Sequence, residues 1–168
     1  MRARLISLFL VLALVLSLVS CFSEPVGYGH GELKLNLPRS FGDFDTDGAY
    51  DIAYSREGMV IGILRLSFDM CMKEGVLITM SPTVFAEFYK GKAGGLAGEI
   101  EEEGDIPYFT YTLLGEDNIS YTYMPTFYVS HYAYFVVTFI TKTEDFDEER
   151  ANISDYLSDI TFDYSKIE

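Results

Sequence analysis

Residues 107–142 constrain the fold of this chain more than any other stretch. Three segments, PYFTYTLL (107–114), ISYTYMPTFYV (119–129) and YAYFVVTFITK (132–142), are rich in aromatic and β-branched residues. Only Gly115–Asn118 and the pair Ser130 and His131 separate them. Such residues suit the pleated, half-buried surface of a sheet, and links this short join antiparallel neighbours. The stretch therefore predicts an antiparallel meander. Pro125 has no N–H to give to a ladder, so an edge or a bulge is expected there.

Upstream, ELKLNLP alternates Leu33, Leu35 and Leu37 on one face and stops at Pro38. AYDIAY and MVIGILRLSF flank the turn SREG, which predicts a hairpin from Ala49 to Phe68. Two helices interrupt the strands. SPTVFAEFYKGKAGG opens with Ser81 as N-cap and Pro82 at the first helical position, and Gly94 is its expected stop. Val84, Phe85, Phe88 and Tyr89 are its expected buried face. The second helix starts at DFDEE, with Asp145 as cap and Glu148 completing a variant capping box. Phe146, Ile153, Leu157 and Ile160 then form one apolar stripe. Helices laid on an antiparallel sheet give the α+β class.

The order of elements resembles the PsbP-like fold, shared with Mog-type Ran-binding proteins and many small bacterial lipoproteins. The matching features are LNLPRSF as opening strand, a hairpin ending near Phe68, the helix at residues 81–95, the meander, and FDEERANISDYLSDITF as closing helix and tail. The resemblance spans residues 32–163 and implies an α/β/α sandwich around an antiparallel sheet. It also implies an assembly or binding role without catalysis, and it transfers no functional residue.

The N-terminus bears on location. Arg2 and Arg4 precede the apolar run Leu5–Val19, which has signal-peptide length and is short for a membrane span. LVSC (Leu18–Cys21) follows and resembles the bacterial lipobox. That resemblance implies cleavage before Cys21 and transfer of a diacylglyceryl group, with chains such as palmitate, to its thiol. The competing readings are an uncleaved signal anchor and a secreted protein with a stray cysteine. Two or three acyl chains anchor a protein stably. The expected organisation is a signal peptide at 1–20, a lipidated N-terminus and tether at 21–31, and one domain at 32–168, attached to the cell membrane on its extracytoplasmic side.

Charge narrows the partners. The signal carries two arginines and no acids, so removing it takes the formal charge from −14 to −16. A surface this acidic repels nucleic acid and anionic headgroups. A protein partner or a small ligand is expected instead, and no cofactor. With Cys21 lipidated, Cys71 has no disulfide partner, so the core must hold the fold. Cys71 lies in DMCMKEG between Met70 and Met72. If this stretch is a strand, the cysteine faces away from both methionines, which argues for packing over copper binding.

GDFDTDGAYDIAY (42–54) is the nearest approach to a metal motif. Asp43, Asp45, Asp47 and Gly48 fit the start of a calcium loop, but Tyr54 stands where a bidentate Glu belongs. The flanks read as strands, and the same residues are good turn formers, so an acidic turn is preferred. His30 falls in the tether and His131 at a hairpin tip, and no GxSxG occurs. The acidic run Glu99–Asp105 reads as a solvated loop or strand edge. An enzyme is not expected; the alternative is a hydrolase whose carboxylates converge only in three dimensions, although sugar-stacking Trp is absent. The aromatic strands remain. Tyr121, Tyr123, Phe127, Tyr132 and Tyr134 form either a partner surface, since Tyr favours interfaces, or a covered face of cross-strand pairs.

Overall fold

Strand pairing organises the protein. The computed structural model describes residues 26–73 and 77–166, so Cys21 and the signal segment lie outside the described residues. The strands are β1 (Val26–His30), β2 (Leu33–Leu37), β3 (Gly42–Asp43), β4 (Ile52–Arg56), β5 (Met59–Ser67), β6 (Glu101–Glu103), β7 (Ile106–Tyr108), β8 (Tyr111–Leu114), β9 (Ser120–Val129), β10 (Ala133–Lys142) and β11 (Thr161–Phe162). The helices are α1 (Phe68–Lys73), α2 (Pro82–Ala93) and α3 (Phe146–Ser158). The main sheet runs β3-β4-β5-β10-β9-β7-β6, with β8 also on β9, and β1-β2-β11 form a smaller sheet. Every pairing is antiparallel. The α+β class is present, as antiparallel sheets with helices packed on them.

Period-two alternation divides the core between the two faces of the main sheet. Met59, Ile61 and Ile63 of β5, Phe135, Val137 and Phe139 of β10, and Met124 and Tyr128 of β9 pack with Leu33, Leu35 and Leu37 of β2. Ile153 and Leu157 of α3 close this face, with Phe146 and Ile160 at its margin, as the helical stripe predicts. Ion pairs from Arg56 to Glu149 and from Arg150 to Glu103 tie α3 to the β4–β5 turn and to β6. On the opposite face Phe127, Tyr134 and Val136 pack with Phe109 and with Phe85 and Ala86 of α2.

Several expectations need correction. Val26–His30 is a strand hydrogen-bonded to β2, so the expected tether is partly built into the domain. Residues 107–114 are two strands, broken at Phe109 and Thr110, yet both keep one register on β9: Tyr108 faces Thr126 and Tyr111 faces Tyr123. Pro125 therefore sits at neither an edge nor a bulge. It pairs with Thr138 on one side, and its missing N–H falls at the break on the other. DMCMK is helical, because the Ser67 hydroxyl accepts the Met70 N–H and caps it. Cys71 is buried there while Met70 and Met72 are exposed, so the three sulfurs do not converge.

In α2, Ser81 accepts the Val84 N–H as expected of a cap, but Val84 and Phe88 are exposed. The helix docks through Phe85, Ala86 and Tyr89 instead, the small Ala86 allowing close approach. Asp145 ends a 3₁₀ turn and makes no side-chain capping bond. The tail adds an unanticipated strand, β11, on β2.

Candidate functional site

The five aromatic residues weighed as a partner surface or as a covered face occupy three places. Phe127 and Tyr134 are core residues under α2, at 1% and 0% exposure, so they are not a surface. The Phe127 ring meets Phe85 edge-to-face at a centroid distance of 5.6 Å, and the Tyr134 ring stacks on Phe85 at 4.5 Å. Tyr132 is exposed at the β9–β10 tip beside Tyr164, whose ring lies parallel to His131 at 4.6 Å. Tyr121 and Tyr123 line a cleft.

The cleft exists because α2 is shorter than the sheet face it covers. Odd-numbered residues of β9 and even-numbered residues of β10 point to that face. At one end they meet α2; at the other, Tyr121, Tyr123 and Ile140 are left uncovered. Val60 and Leu64 of β5 extend the floor, Tyr89 at the end of α2 forms one wall, and the β3–β4 turn supplies Phe44, Thr46, Ala49 and Tyr50. The β8–β9 turn closes the rim with Gly115, Glu116 and Asp117. The open cleft has a volume of about 640 Å³, within the ordinary range for a small-molecule site, roughly 300–1,000 Å³.

Glycine placement shapes the cleft. Gly62 lies inside β5 where a Cβ would stand 2.5 Å from the Tyr50 ring, so only glycine lets that ring lie on the strand. Burial pushes the Tyr50 phenol up to about 12, against the bond it shares with Thr138. Burial also raises Tyr89 and Tyr111, the latter stacked on Tyr123 at 5.0 Å. On the rim Tyr121 donates to Asp117 Oδ2 at 2.7 Å, and the Ile119 N–H donates to Oδ1 at 3.0 Å. These bonds hold the Asp117 carboxyl below its ordinary range.

The aspartates of the calcium-like segment form a strand end and a turn. Asp43 pairs with Tyr54 in β3–β4, the Asp45 carboxylate accepts the Asp47 N–H at 3.0 Å, and Asp47 and Gly48 adopt positive φ. Among the described residues no group of three or more His, Cys, Asp or Glu side chains is placed to hold a metal. His30 ends β1, 3.5 Å from Asp51, rather than lying in a tether.

A smaller recess of about 370 Å³ lies between β6 and α3, lined by Glu102, Glu103, Arg150, Ala151 and Ser154. Burial raises the Glu103 carboxyl, but bonds from Ser154 and Arg150 outweigh this and leave it lowered. A general acid needs the opposite shift. Asp117 is lowered too, and its neighbour Glu116 shares the same turn.

Sequence reading missed Tyr50, Tyr89, Phe44 and the rim acids. The available signal was Gly62: a glycine inside an otherwise aliphatic strand marks a close approach by something else.

No family model matches the chain, and no curated protein matches it in sequence. Solved structures do match it in shape. Cyanobacterial PsbP (CyanoP) from Synechocystis sp. PCC 6803 aligns with TM-score 0.51 at 12% identity, over 86% of this chain and 95% of that one. A protein from Bacteroides thetaiotaomicron VPI-5482 aligns with TM-score 0.57 at 10% identity, over 86% of this chain and 51% of that one. LpqN of Mycobacterium tuberculosis, described as involved in cell envelope biogenesis, aligns with TM-score 0.46 at 12% identity, over 82% and 88% of the two chains. At these identities the likeness is one of fold, and the fold of this chain is PsbP-like.

Proposed function

We propose that this protein is a lipid-anchored extracytoplasmic lipoprotein whose PsbP-like domain is a non-catalytic binding module, with the tyrosine-lined cleft as its binding site. The observation that carries the reading is the uncovered end of the sheet, where Tyr50, Tyr89, Tyr121 and Tyr123 surround an aliphatic floor. A globular domain ordinarily covers such surface, and a concave apolar site with a few polar groups is the usual form of a ligand pocket. LVSC and the apolar run before it support the anchor. No helix among the described residues is long and apolar enough to cross a membrane. The lowered carboxyls of Asp117 and Glu103 favour binding over acid catalysis.

Ligand-observed NMR with a mixed small-molecule library on the detergent-solubilised full chain tests this reading. Hits that bind the wild type and are lost in Tyr123→Ala support it. A library with no hits, or hits indifferent to Tyr123→Ala, refutes the cleft as the site.

A further inference from the structure

The cleft presents one kind of charge. Its rim carries the carboxylates of Glu116 and Asp117, and among the described residues no lysine, arginine or histidine lines it. Lys142, paired with Tyr121 at the end of β10, acts on Asp117 from outside the lining. The full chain bears a formal −14, which repels anions from the same surface. An anionic ligand would find no donor side chain of opposite charge.

Neutral sugars fit poorly as well. They need free hydrogen-bonding groups, and on the rim the Tyr121 phenol is already engaged with Asp117, whose other oxygen accepts the Ile119 N–H. The remaining resource is ring faces, which carry negative potential, set beside fixed negative charge. A desolvated cation gains roughly two- to thirtyfold in affinity from one such face.

We propose that the ligand of this cleft is an organic cation with an apolar body, an alkyl- or arylammonium. Its hydrocarbon lies on Val60, Leu64 and Ile140, and its ammonium sits among the tyrosine rings beside Glu116 and Asp117. The proposal rests on the reading of the cleft as the binding site and adds the chemical class.

The test compares benzyltrimethylammonium, benzyl alcohol and benzoate by titration calorimetry against the detergent-solubilised full chain, with protein-free micelles as blank. The cation is expected to bind about tenfold more tightly than either ring-matched competitor, and to weaken as salt rises. Tyr123→Leu keeps an apolar side chain but removes the ring; it should weaken the cation and spare benzyl alcohol. Tyr123 stacks on Tyr111, so Glu116→Gln on the exposed rim provides a second reading without disturbing the core. It should cut cation affinity several-fold and leave benzyl alcohol unchanged. Equal or tighter binding of benzyl alcohol or benzoate, lost in Tyr123→Leu, overturns the chemical class and leaves the binding site standing. No binding of all three probes, with library hits still lost in Tyr123→Ala, does the same. No ligand of any kind at the cleft overturns both.

Discussion

The ring of Tyr50 lies on the bare α-carbon of Gly62, so closely that a Cβ there would stand 2.5 Å from its Cγ and 2.6 Å from both Cδ atoms. This contact holds the β3–β4 turn against the sheet and makes that turn a wall of the cleft. Gly62→Ala should force the ring out and cost about 1–3 kcal/mol, the usual range for overpacking. In a Tyr50→Ala background the same change should cost far less, because the clash partner is gone. Denaturant unfolding of the four variants measures the coupling; additive effects would show that the contact does not bear on stability.

Leu157→Ala examines the docking of α3. Leu157 is 2% exposed and Ile153 fully buried, beneath a helix whose first turn holds Asp147, Glu148 and Glu149. Such a helix gains its stability from packing rather than from propensity. The truncation should cost about 2–5 kcal/mol, out of roughly 5–15 available to a domain of this size. Unchanged unfolding, with proteolysis trimming residues 145–168 and sparing the rest, would instead mark a detachable tail.

The pH dependence follows from Glu32. It is fully buried, and burial raises its carboxyl, but bonds from Ser130 at 2.6 Å and Arg65 at 2.9 Å outweigh this and leave it below the ordinary 4.5. Glu149 is lowered in the same way by Arg56 and Asn152. In the folded state these groups bind fewer protons than in the unfolded chain, so their stabilisation is complete above 4.5 and lost as pH falls through the folded values. At the alkaline end the Tyr50 contribution is complete below 10 and lost as pH rises through about 12. Melting temperature should be flat from 4.5 to 9.0, where the Cys71 thiol, raised by burial, begins the alkaline loss, and should fall on both sides; Glu32→Gln should shallow the acid slope. A melting temperature that climbs below 4.5 would contradict this.

The proposed anchor rests on Cys21. If the proposed attachment is carried by that one thiol, Cys21→Ala should abolish incorporation of labelled fatty acid and release the protein from membranes. Labelling that persists in the variant would end the lipoprotein reading.

The sequence alone determined what depends on local pattern. The alternation of Leu33, Leu35 and Leu37, the aromatic strands at 119–129 and 132–142, and the stripe through Ile153 and Leu157 all lie where periodicity puts them. Period two and period 3.6 are properties of the backbone, legible without knowing what packs against it. The acidic turn at Asp45–Gly48 was equally legible, from residues that form turns by their own geometry. The tertiary structure decided which parts of a face are covered. Tyr123 and Phe127 share one strand and one face, and the alternation treats them alike. Phe127 lies beneath Phe85 of α2, while Tyr123 lies beyond the end of that helix and opens into the cleft. Where a helix ends over a sheet depends on contacts between residues far apart in the chain. Tyr50 and Gly62 meet across a hairpin, and Glu32 and Ser130 join across 98 positions. No spacing rule encodes such meetings, because the chain between them sets the geometry.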